Sequence, residues 1–410
     1  MFDIGKQFNL PEIEEKVLKL WKEHRVRERV LEAPLKKDKR KLFNFYEGPP
    51  TANGRPGIHH VLARAFKDII PRYKTMQGYF VPRKAGWDTH GLPVEIAVEK
   101  ELGLRSKKEI EEYGIAEFNA KCRESVWKYK DEWEKLTERI GFWLDLEHPY
   151  ITYENSYMET LWWILSRVWK RKLLYKGNRV VPWCTRCGTA LSSHELAQGY
   201  KEVTDTSVYV KFKLVPGQTI GNTKTGDHSY VLSWTTTPWT LPGNVALAVG
   251  EHIQYIKTNK DGEELWCAAM SPLTKELLGT VLQEVSGKDL AGLSYEPLFN
   301  ISKLKTENSY KIYAADFVTT VDGTGVVHTA VMYGEDDYQL GMKVGLPQEH
   351  TVTEQGKFTD DVPGVAGLYV KSKDAEEKIF AHLKTQGFFF KTEPYTHEYP
   401  HCWRCSTALL

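Results

Sequence analysis

The stretch FNFYEGPPTANGRPGIHHVLARAFKDII, residues 43–70, decides the fold that this chain predicts. It begins inside an apolar and aromatic run, Leu42 to Tyr46, which gives way to glycine and proline as a buried strand does on entering a turn. From His60 onward the apolar residues take helical spacing, interrupted by Pro71. A Gly-rich turn between a strand and a helix presents unpaired N–H groups and the positive end of the helix dipole, which suit a phosphate. Two adjacent histidines at a helix start also fit a capping or packing role.

The pattern of strand, turn and helix repeats along the first 200 residues. A second short strand with a Gly-rich exit lies in YFVPRKAGWDTHGLPVE, residues 79–95. Helical patterns cover Pro11 to about Ala33, about Ala116 to Leu146, and Tyr153 to Tyr175. Open α/β sheets bind ligands beyond the ends of their strands, where these polar turns fall. We therefore predict an α/β domain with a Rossmann-type parallel sheet.

Beyond about Lys201 the sequence predicts a different architecture. Runs such as TSVYVKFKL and HSYVLSWTTT alternate with a period of two and are separated by Gly, Asn and Asp. They continue to about Lys391 and predict a separate β-rich domain. The last residues, YPHCWRCSTALL, resume the composition of the earlier VPWCTRCGTALS. We interpret these two stretches as two rims of one insertion point, which divides the chain into residues 1–200, 201–391 and 392–410.

Four of the six cysteines form two C-x-x-C pairs, Cys184 with Cys187 and Cys402 with Cys405. This spacing favours a metal over a disulfide. If all four thiolates bind one tetrahedral Zn²⁺, the metal ties together the strands that leave the first domain and return to it. Two C-x-x-C turns without a metal are the alternative.

Composition and charge set broad limits on function. The 410 residues are 41% hydrophobic, enough for two or three cores, and the net charge of +1 restricts nucleic-acid binding to local patches. One basic stretch, residues 167–179, fits either a helix C-terminus or a contact with a nucleic-acid backbone. Another, LKKDKRK at residues 35–41, is typical of a solvated loop. No apolar run approaches the roughly 20 residues that span a bilayer, and the start carries acidic residues, so we expect a cytoplasmic protein without membrane contact.

Several longer motifs occur together in this chain. They are EGPPTANG, GWDTHGLPVE, VPWCTRCGTALSSHELAQGYKEV, WTTTPWTLPGN and GTGVVHTAVMYGEDDYQLG. On these motifs the whole chain resembles the class I aminoacyl-tRNA synthetases, most closely the isoleucine-specific branch shared by eukaryotes and some bacteria. The resemblance implies that the isoleucine carboxylate attacks the α-phosphate of ATP, with Mg²⁺ as cofactor, and that isoleucine then passes from the adenylate to tRNA(Ile). Such a transfer depends mostly on positioning and charge stabilisation.

The resemblance also implies roles for residues around the first turn. Gly48 and Pro49 shape the amino-acid pocket, and Asp88 pairs with the substrate ammonium, although an Asp before Thr-His-Gly is also a common turn residue. Gly57, His59 and His60 fall in the family's catalytic motif, His-x-Gly-His, which contacts ATP.

This chain departs from that motif. Gly57 stands in the place of the first His, His59 stands in the place of the Gly, and His60 is unchanged. In one interpretation the turn shifts, His59 donates to phosphate and adenylate formation survives. In the other, ATP binding is lost and the protein has another task. We favour the first, and expect weaker binding of adenylate mimics such as mupirocin, and hence mupirocin resistance.

The β-rich insertion resembles the family's editing domain, which hydrolyses mischarged Val-tRNA(Ile). Taken alone, three threonines are typical of a strand end and two aspartates of a solvated turn. The resemblance implies that Asp337 binds the substrate ammonium and that His328 helps to exclude isoleucine. It also implies that the editing site takes its hydroxyl and amide groups from Thr235, Thr236, Thr237 and Asn244.

The family also has a second signature loop, Lys-Met-Ser-Lys-Ser, and an anticodon-reading domain, neither of which precedes Leu410. We therefore expect the chain to be a fragment of a longer, monomeric enzyme. The alternative is a stand-alone tRNA deacylase or tRNA-binding paralogue without synthetic activity.

Overall fold

The computed structural model describes residues 9–32, 41–276 and 280–410. It divides into two compact units, residues 1–177 and 178–410, which are described one at a time. The basic stretch predicted as a solvated loop lies, except for Lys41, outside the described residues. In the part of the chain that the structure describes, no helix has both the length and the apolar character needed to cross a membrane.

The first unit contains a three-stranded parallel sheet. Its strands are Phe45–Tyr46 (β1), Arg83–Trp87 (β2) and Asp145–Ile151 (β3), in the order β1-β2-β3. Both pairings are parallel, with Phe45 opposite Arg83 and Gly86 opposite Tyr150. The close approach of the Tyr150 ring requires glycine at position 86, because a Cβ there would lie 2.2 Å from that ring. The predicted mixture of α and β structure with a parallel sheet is thereby confirmed.

Helices connect and flank these strands. In chain order they are α1 (Leu10–Glu23), α2 (Val26–Leu31), α3 (Ile58–Met76), α4 (Leu92–Leu102), α5 (Lys107–Tyr113), α6 (Ile115–Ser125), α7 (Lys130–Arg139) and α8 (Asn155–Lys170). The helix predicted from Pro11 to about Ala33 is broken between α1 and α2, because Arg25 adopts a left-handed φ of 50°. The helical pattern predicted to Leu146 ends earlier and gives way to β3. In contrast, α3 continues through Pro71.

The basic stretch at residues 167–179 begins in the last turn of α8. Arg167 and Lys170 lie where cations stabilise the partial negative charge of a helix C-terminus. The Arg167 guanidinium also lies 5.1 Å from the centre of the Trp163 ring. The position fits the helix-end interpretation, and contact with nucleic acid stays a prediction.

The second unit is rich in strands. They are β4 (Trp183–Cys184), β5 (Thr189–Ala190), β6 (Tyr200–Lys213), β7 (Thr219–Ile220), β8 (Thr223–Lys224), β9 (Ser229–Thr235), β10 (Ala246–Val249), β11 (Gln254–Lys260), β12 (Glu263–Ala268), β13 (Gln283–Ser286), β14 (Lys311–Ala314), β15 (Val326–Thr329) and β16 (Phe389–Pro400). The helices are α9 (Ser193–Leu196), α10 (Gly287–Leu290), α11 (Glu335–Val344) and α12 (Lys373–Thr385), with 3₁₀ turns at Pro238–Gly243, Pro272–Lys275 and Ser302–Leu304.

Two sheets organise this unit. A six-stranded sheet has the order β13-β11-β12-β9-β6-β16, and a smaller one has the order β14-β10-β15. Strand β10, which reads ALAV, is buried at every position, as expected of a central strand. The main core includes Phe212, Trp266 and Leu247, each at most 1% exposed.

Strands β6 and β16 form a long antiparallel ribbon, from Val210 opposite Phe389 to Tyr200 opposite Pro400. Residue 391, a predicted domain limit, lies within β16, and the limit at 200 coincides with the start of β6. Past the ribbon, Trp183 and Leu410 exchange two backbone hydrogen bonds, of 2.9 and 3.0 Å. The stretches predicted as two rims of one insertion point therefore do lie together.

Candidate functional site

A cleft of about 460 Å³ opens between the loop that follows β1 and the start of α3. Its walls include Gly48, Pro49, His60, Arg64 and Lys67. The first three were predicted from the sequence, two of them for the amino-acid pocket and one for ATP. Arg64 and Lys67 were not predicted. Their spacing was the available signal, because residues four and seven positions after His60 share its helix face.

His60 has a defined hydrogen-bonding state. Gly57, the N-cap of α3, donates its backbone N–H to His60 Nδ1 at 2.9 Å, which assigns the ring proton to Nε2. Burial lowers the pKa of His60, and the positive charges of His59, Arg64 and Lys67 lower it further. His60 is therefore a neutral hydrogen-bond donor in the wall of the cleft. Its ring also packs edge-on against Trp133 at 4.7 Å.

His59 is exposed, and its ring lies 3.8 Å from the ring of His60, measured between centres. A Cβ atom added at Gly57 would lie 2.8 Å from His59 Cε1 and 3.0 Å from His59 Nδ1. The imidazole of residue 59 thus occupies the space beside position 57. Whether this packing compensates for the exchange of His and Gly between the two positions stays a prediction.

Asp88 directly follows β2 and is hydrogen-bonded to the loop that follows β1. Its N–H donates to Pro50 O at 3.0 Å, and its carboxylate accepts from the Thr51 hydroxyl at 3.4 Å and the His90 N–H at 3.3 Å. Both bonds to the carboxylate are long, so it keeps acceptor capacity for a further donor. The structure therefore places Asp88 next to the loop that carries Gly48 and Pro49.

A second group of predicted residues lies in the second unit, around the end of β9. Thr237 donates its backbone N–H to Thr235 Oγ1 at 3.1 Å, and the two hydroxyls are 3.2 Å apart. Thr236, between them, is half-buried. The hydroxyl of Thr240 donates to Thr237 O at 2.8 Å and lies 2.9 Å from His328 Nε2. Thr240 was not predicted as a site residue, although it belongs to the WTTTPWTLPGN motif.

His328, in β15, is 8% exposed. Because Thr240 uses its own proton on Thr237 O, His328 donates through Nε2, and its Nδ1 is an unprotonated acceptor. Among the described residues this Nδ1 has no hydrogen-bond partner. Burial lowers the pKa of His328 to about 4, so the ring is neutral at physiological pH.

Asn244 is engaged inside the core. Its Nδ2 donates to Ala246 O at 2.9 Å, its Oδ1 accepts from the Tyr295 hydroxyl at 2.7 Å, and the residue is 3% exposed. Both ends of the amide are therefore used by the fold. The predicted role of Asn244 in binding a substrate is not supported by this arrangement and stays a prediction.

Asp337 lies in the first turn of α11. Burial raises its pKa to about 7, against the effect of a hydrogen bond from the backbone of Ala330, and Asp336 adds to the rise. Ala330 directly follows β15, which carries His328. The structure thus brings Asp337 to the same strand end as His328. A recessed carboxyl of this kind gains a favourable partner when a ligand supplies an ammonium group.

The four cysteines of the two C-x-x-C pairs also come together. The sulfurs of Cys184, Cys187, Cys402 and Cys405 all lie within 4.8 Å of one another, and those of Cys184 and Cys405 are 3.5 Å apart. A tetrahedral Zn²⁺ with Zn–S bonds of about 2.3 Å spaces its sulfurs by about 3.8 Å, which matches this cluster. Hydrogen bonds from the neighbouring thiols, that of Cys184 first, lower the pKa of Cys187. The donor set therefore fits zinc.

Comparison with known proteins identifies relatives over the whole chain. The sequence model of tRNA synthetases class I (I, L, M and V) matches residues 16–320. The chain is 49% identical over 401 residues to isoleucine–tRNA ligase of Clostridium kluyveri, covering 97% of this chain and 37% of that protein. It is 48% identical over 414 residues to isoleucine–tRNA ligase of Thermus thermophilus, covering 100% of this chain and 38% of that protein.

Among solved structures, the chain is similar to the crystal structure of GlLeuRS-CP1, with a TM-score of 0.35 and 14% identity over 47% of this chain and 100% of that one. The chain spans less than two fifths of the length of the two isoleucine–tRNA ligases. Because the family match runs from residue 16 to residue 320, across both the cleft and the threonine cluster, this chain belongs to the class I tRNA synthetases.

Proposed function

We propose that the chain is the part of an isoleucine–tRNA ligase that binds isoleucine and ATP and that edits mischarged tRNA. The observation that carries this proposal is the identity of 49% over 97% of the chain to the Clostridium kluyveri enzyme. Class I synthetases use ATP and Mg²⁺. Isoleucine and tRNA(Ile) are then the further substrates of the whole enzyme. Its monomeric state and cytoplasmic location stay predictions.

For activation, the proposed division of labour follows the walls of the cleft. The start of α3 offers backbone N–H groups to phosphate, and His60 adds a neutral Nε2–H donor. Gly48 and Pro49 border the amino acid, and Asp88 accepts its ammonium. These groups hold the carboxylate of isoleucine against the α-phosphate and stabilise the charge that develops there. His59, next to Gly57, supplies a donor from the exchanged position.

The test of this activity is isoleucine-dependent exchange between ATP and pyrophosphate in the full-length enzyme. Exchange that requires isoleucine supports a synthetase whose altered motif still uses ATP. Its absence, together with hydrolysis of Val-tRNA(Ile), would establish the alternative of a tRNA deacylase without synthetic activity.

The threonine cluster, His328 and Asp337 form the proposed editing site. Isoleucine and valine differ by one methylene, which a hydrophobic pocket distinguishes by only about 1–3 kcal/mol, a range for which isoleucine–tRNA ligases are themselves the standard example. A second, hydrolytic site is therefore needed. We assign the ammonium of the valyl ester to the recessed carboxyl of Asp337 and the limit on side-chain size to the buried ring of His328.

The editing assignment is tested by Val-tRNA(Ile) hydrolysis with two neighbouring variants. Asp337→Ala should lower the rate by at least about tenfold, because it removes a charge-assisted hydrogen bond to the substrate. Asp336→Ala is the matched control, since Asp336 is the adjacent carboxylate of the same helix turn and is exposed. Full activity of Asp337→Ala would refute the assignment.

We infer that Cys184, Cys187, Cys402 and Cys405 hold one Zn²⁺ in a structural role. Four thiolates complete a tetrahedral site and leave no position for a substrate. The ion would fasten the two C-x-x-C turns to each other, beside the backbone bonds between Trp183 and Leu410. With residues 1–200 and 392–410 as the catalytic part and residues 201–391 as the editing part, this fastening lies where the insertion begins and ends.

A further inference from the structure

Glu47 is a buried carboxylate between the two predicted substrates. It directly follows β1 and directly precedes Gly48 and Pro49, which border the amino-acid side of the cleft. Only 2% of the residue is exposed. Its N–H donates to Lys84 O at 2.9 Å, and its carbonyl accepts from the Tyr150 hydroxyl. The backbone is therefore fixed on both sides, and the side chain reaches across to α3.

Two cations of α3 face this carboxylate. Lys67 Nζ lies 2.6 Å from Glu47 Oε1, and Arg64 Nε lies 3.8 Å from the same oxygen. Arg64 is held independently, because it donates to Thr137 Oγ1 at 2.6 Å and packs over the Trp133 ring at 5.0 Å. Lys67 is the more exposed of the two cations, with 34% of its side chain accessible. The close contact of the pair thus depends on Lys67.

The second oxygen of Glu47 makes the pair sensitive to disruption. Within the described part of the chain, Glu47 Oε2 is buried and has no hydrogen-bond partner. A buried carboxylate that loses its closest cation is strongly unfavourable, which favours a rearrangement around the group. Because the next residues are Gly48 and Pro49, any such movement displaces the amino-acid side of the cleft.

We propose that Glu47, through its ion pair with Lys67, is a positioning residue that couples isoleucine binding to nucleotide binding. Helix α3 carries His60, Arg64 and Lys67 on the face that lines the cleft, and its first turn is the proposed phosphate site. The ion pair joins that helix to the loop of the amino-acid pocket. A ligand that orders one side therefore orders the other. The inference rests on the proposed function.

The test uses the full-length enzyme and measures the Kd of isoleucine with and without a saturating, non-hydrolysable ATP analogue. In the wild type the analogue should tighten isoleucine binding. Glu47→Gln, which keeps the shape of the side chain, should reduce that tightening by at least about fivefold, measured relative to the variant's own Kd for isoleucine alone. Lys67→Met should reduce the tightening by a similar factor, whereas Lys67→Arg should retain it. The variant with both Glu47→Gln and Lys67→Met should lose no more of the tightening than either single variant does.

Glu12→Gln is the matched control, because Glu12 forms an exposed pair with Lys16 at 2.8 Å on α1 of the same unit. Thermal unfolding of each variant shows whether it is folded, and Lys67→Met replaces Glu47→Gln if the latter is not. Wild-type coupling that survives in both Glu47→Gln and Lys67→Met would overturn the proposal, as would a wild type without coupling. So would a Lys67→Met variant that loses affinity for the analogue alone by more than about tenfold, because Lys67 would then be a phosphate ligand. A wild type with no isoleucine-dependent exchange would instead refute the proposed function.

Discussion

Gly57→His, His59→Gly and the variant with both changes form a mutant cycle that tests how the start of α3 is packed. In the structure a Cβ atom at position 57 would lie 2.8 Å from His59 Cε1 and 3.0 Å from His59 Nδ1. The φ of Gly57 is −114°, which any residue adopts, so the obstacle to a histidine there is the neighbouring ring and not the backbone.

The expected magnitudes follow from these contacts. Gly57→His alone forces the exposed His59 ring away from its place 3.8 Å from His60, and the loss of such a ring pair costs about 0.5–1.5 kcal/mol. His59→Gly alone costs about 0.5 kcal/mol, because glycine is less favourable than histidine in a helix. With both changes the steric part of the cost disappears. The coupling energy between positions 57 and 59 should therefore be about 1 kcal/mol in favour of the double variant.

The assay is denaturant unfolding of the full-length protein, followed by the KM for ATP in pyrophosphate exchange. Gly54→Ala controls for the loss of a glycine from the same turn, since a Cβ there meets no atom within 4 Å. The double variant should also bind mupirocin more tightly than the wild type. If the two single effects add to within about 0.5 kcal/mol, the compensation between positions 57 and 59 does not exist.

Three further predictions concern the second unit. Asp337→Asn should stabilise the protein by about 2 kcal/mol more at pH 8 than at pH 5, measured by denaturant unfolding. The pKa of Asp337 is raised to about 7 in the native state, whereas the unfolded state releases this proton from near pH 4 upward. The destabilisation caused by Asp337 therefore grows with pH until the pH exceeds 7. Cys405→Ser should lower the amount of zinc bound per chain, measured by atomic emission, and reduce the unfolding temperature by about 5 °C or more. Cys122→Ser, which lies outside the cluster, should change neither the zinc content nor the unfolding temperature. Thr240→Val should cost about 1–3 kcal/mol in the same unfolding assay, because it leaves the buried Nε2–H of His328 without an acceptor, and an effect below about 0.5 kcal/mol would refute that assignment.

The first two strands of the parallel sheet were predictable because short apolar runs ended in turns rich in glycine and proline. The third strand, β3, was not predicted, because a helical pattern covered its first residues and no glycine or proline follows it. The ends of the helices were harder to predict from the sequence. The left-handed Arg25 that ends the first helical stretch has no signal in its residue type. Pro71 predicted an interruption, yet α3 continues through it, and the Thr75 hydroxyl donates to Pro71 O at 2.7 Å in the following turn. Tertiary packing decides such cases over local preference.

For the site, the residue types were predictable and their hydrogen-bonding states were not. The spacing of the cysteines indicated the cluster, because C-x-x-C turns bring sulfurs together locally. The tautomers of His60 and His328 depend instead on Gly57 and Thr240, which act through a backbone N–H and a hydroxyl that a motif does not specify. Glu47 and Lys67 are 20 residues apart and meet only because a strand and the next helix pack together. Asn244 shows the reverse case, in which a motif residue is used by the core.

The ribbon of β6 and β16 has an evolutionary consequence. Its strands run side by side, with Val210 opposite Phe389, so the long segment that connects the end of β6 to the start of β16 begins and ends at neighbouring points. A segment with adjacent ends can be gained, lost or replaced in a single genetic event, since a short turn closes the gap that it leaves. Evolution can therefore alter or replace this segment as one unit, while strands β6 and β16 stay unchanged.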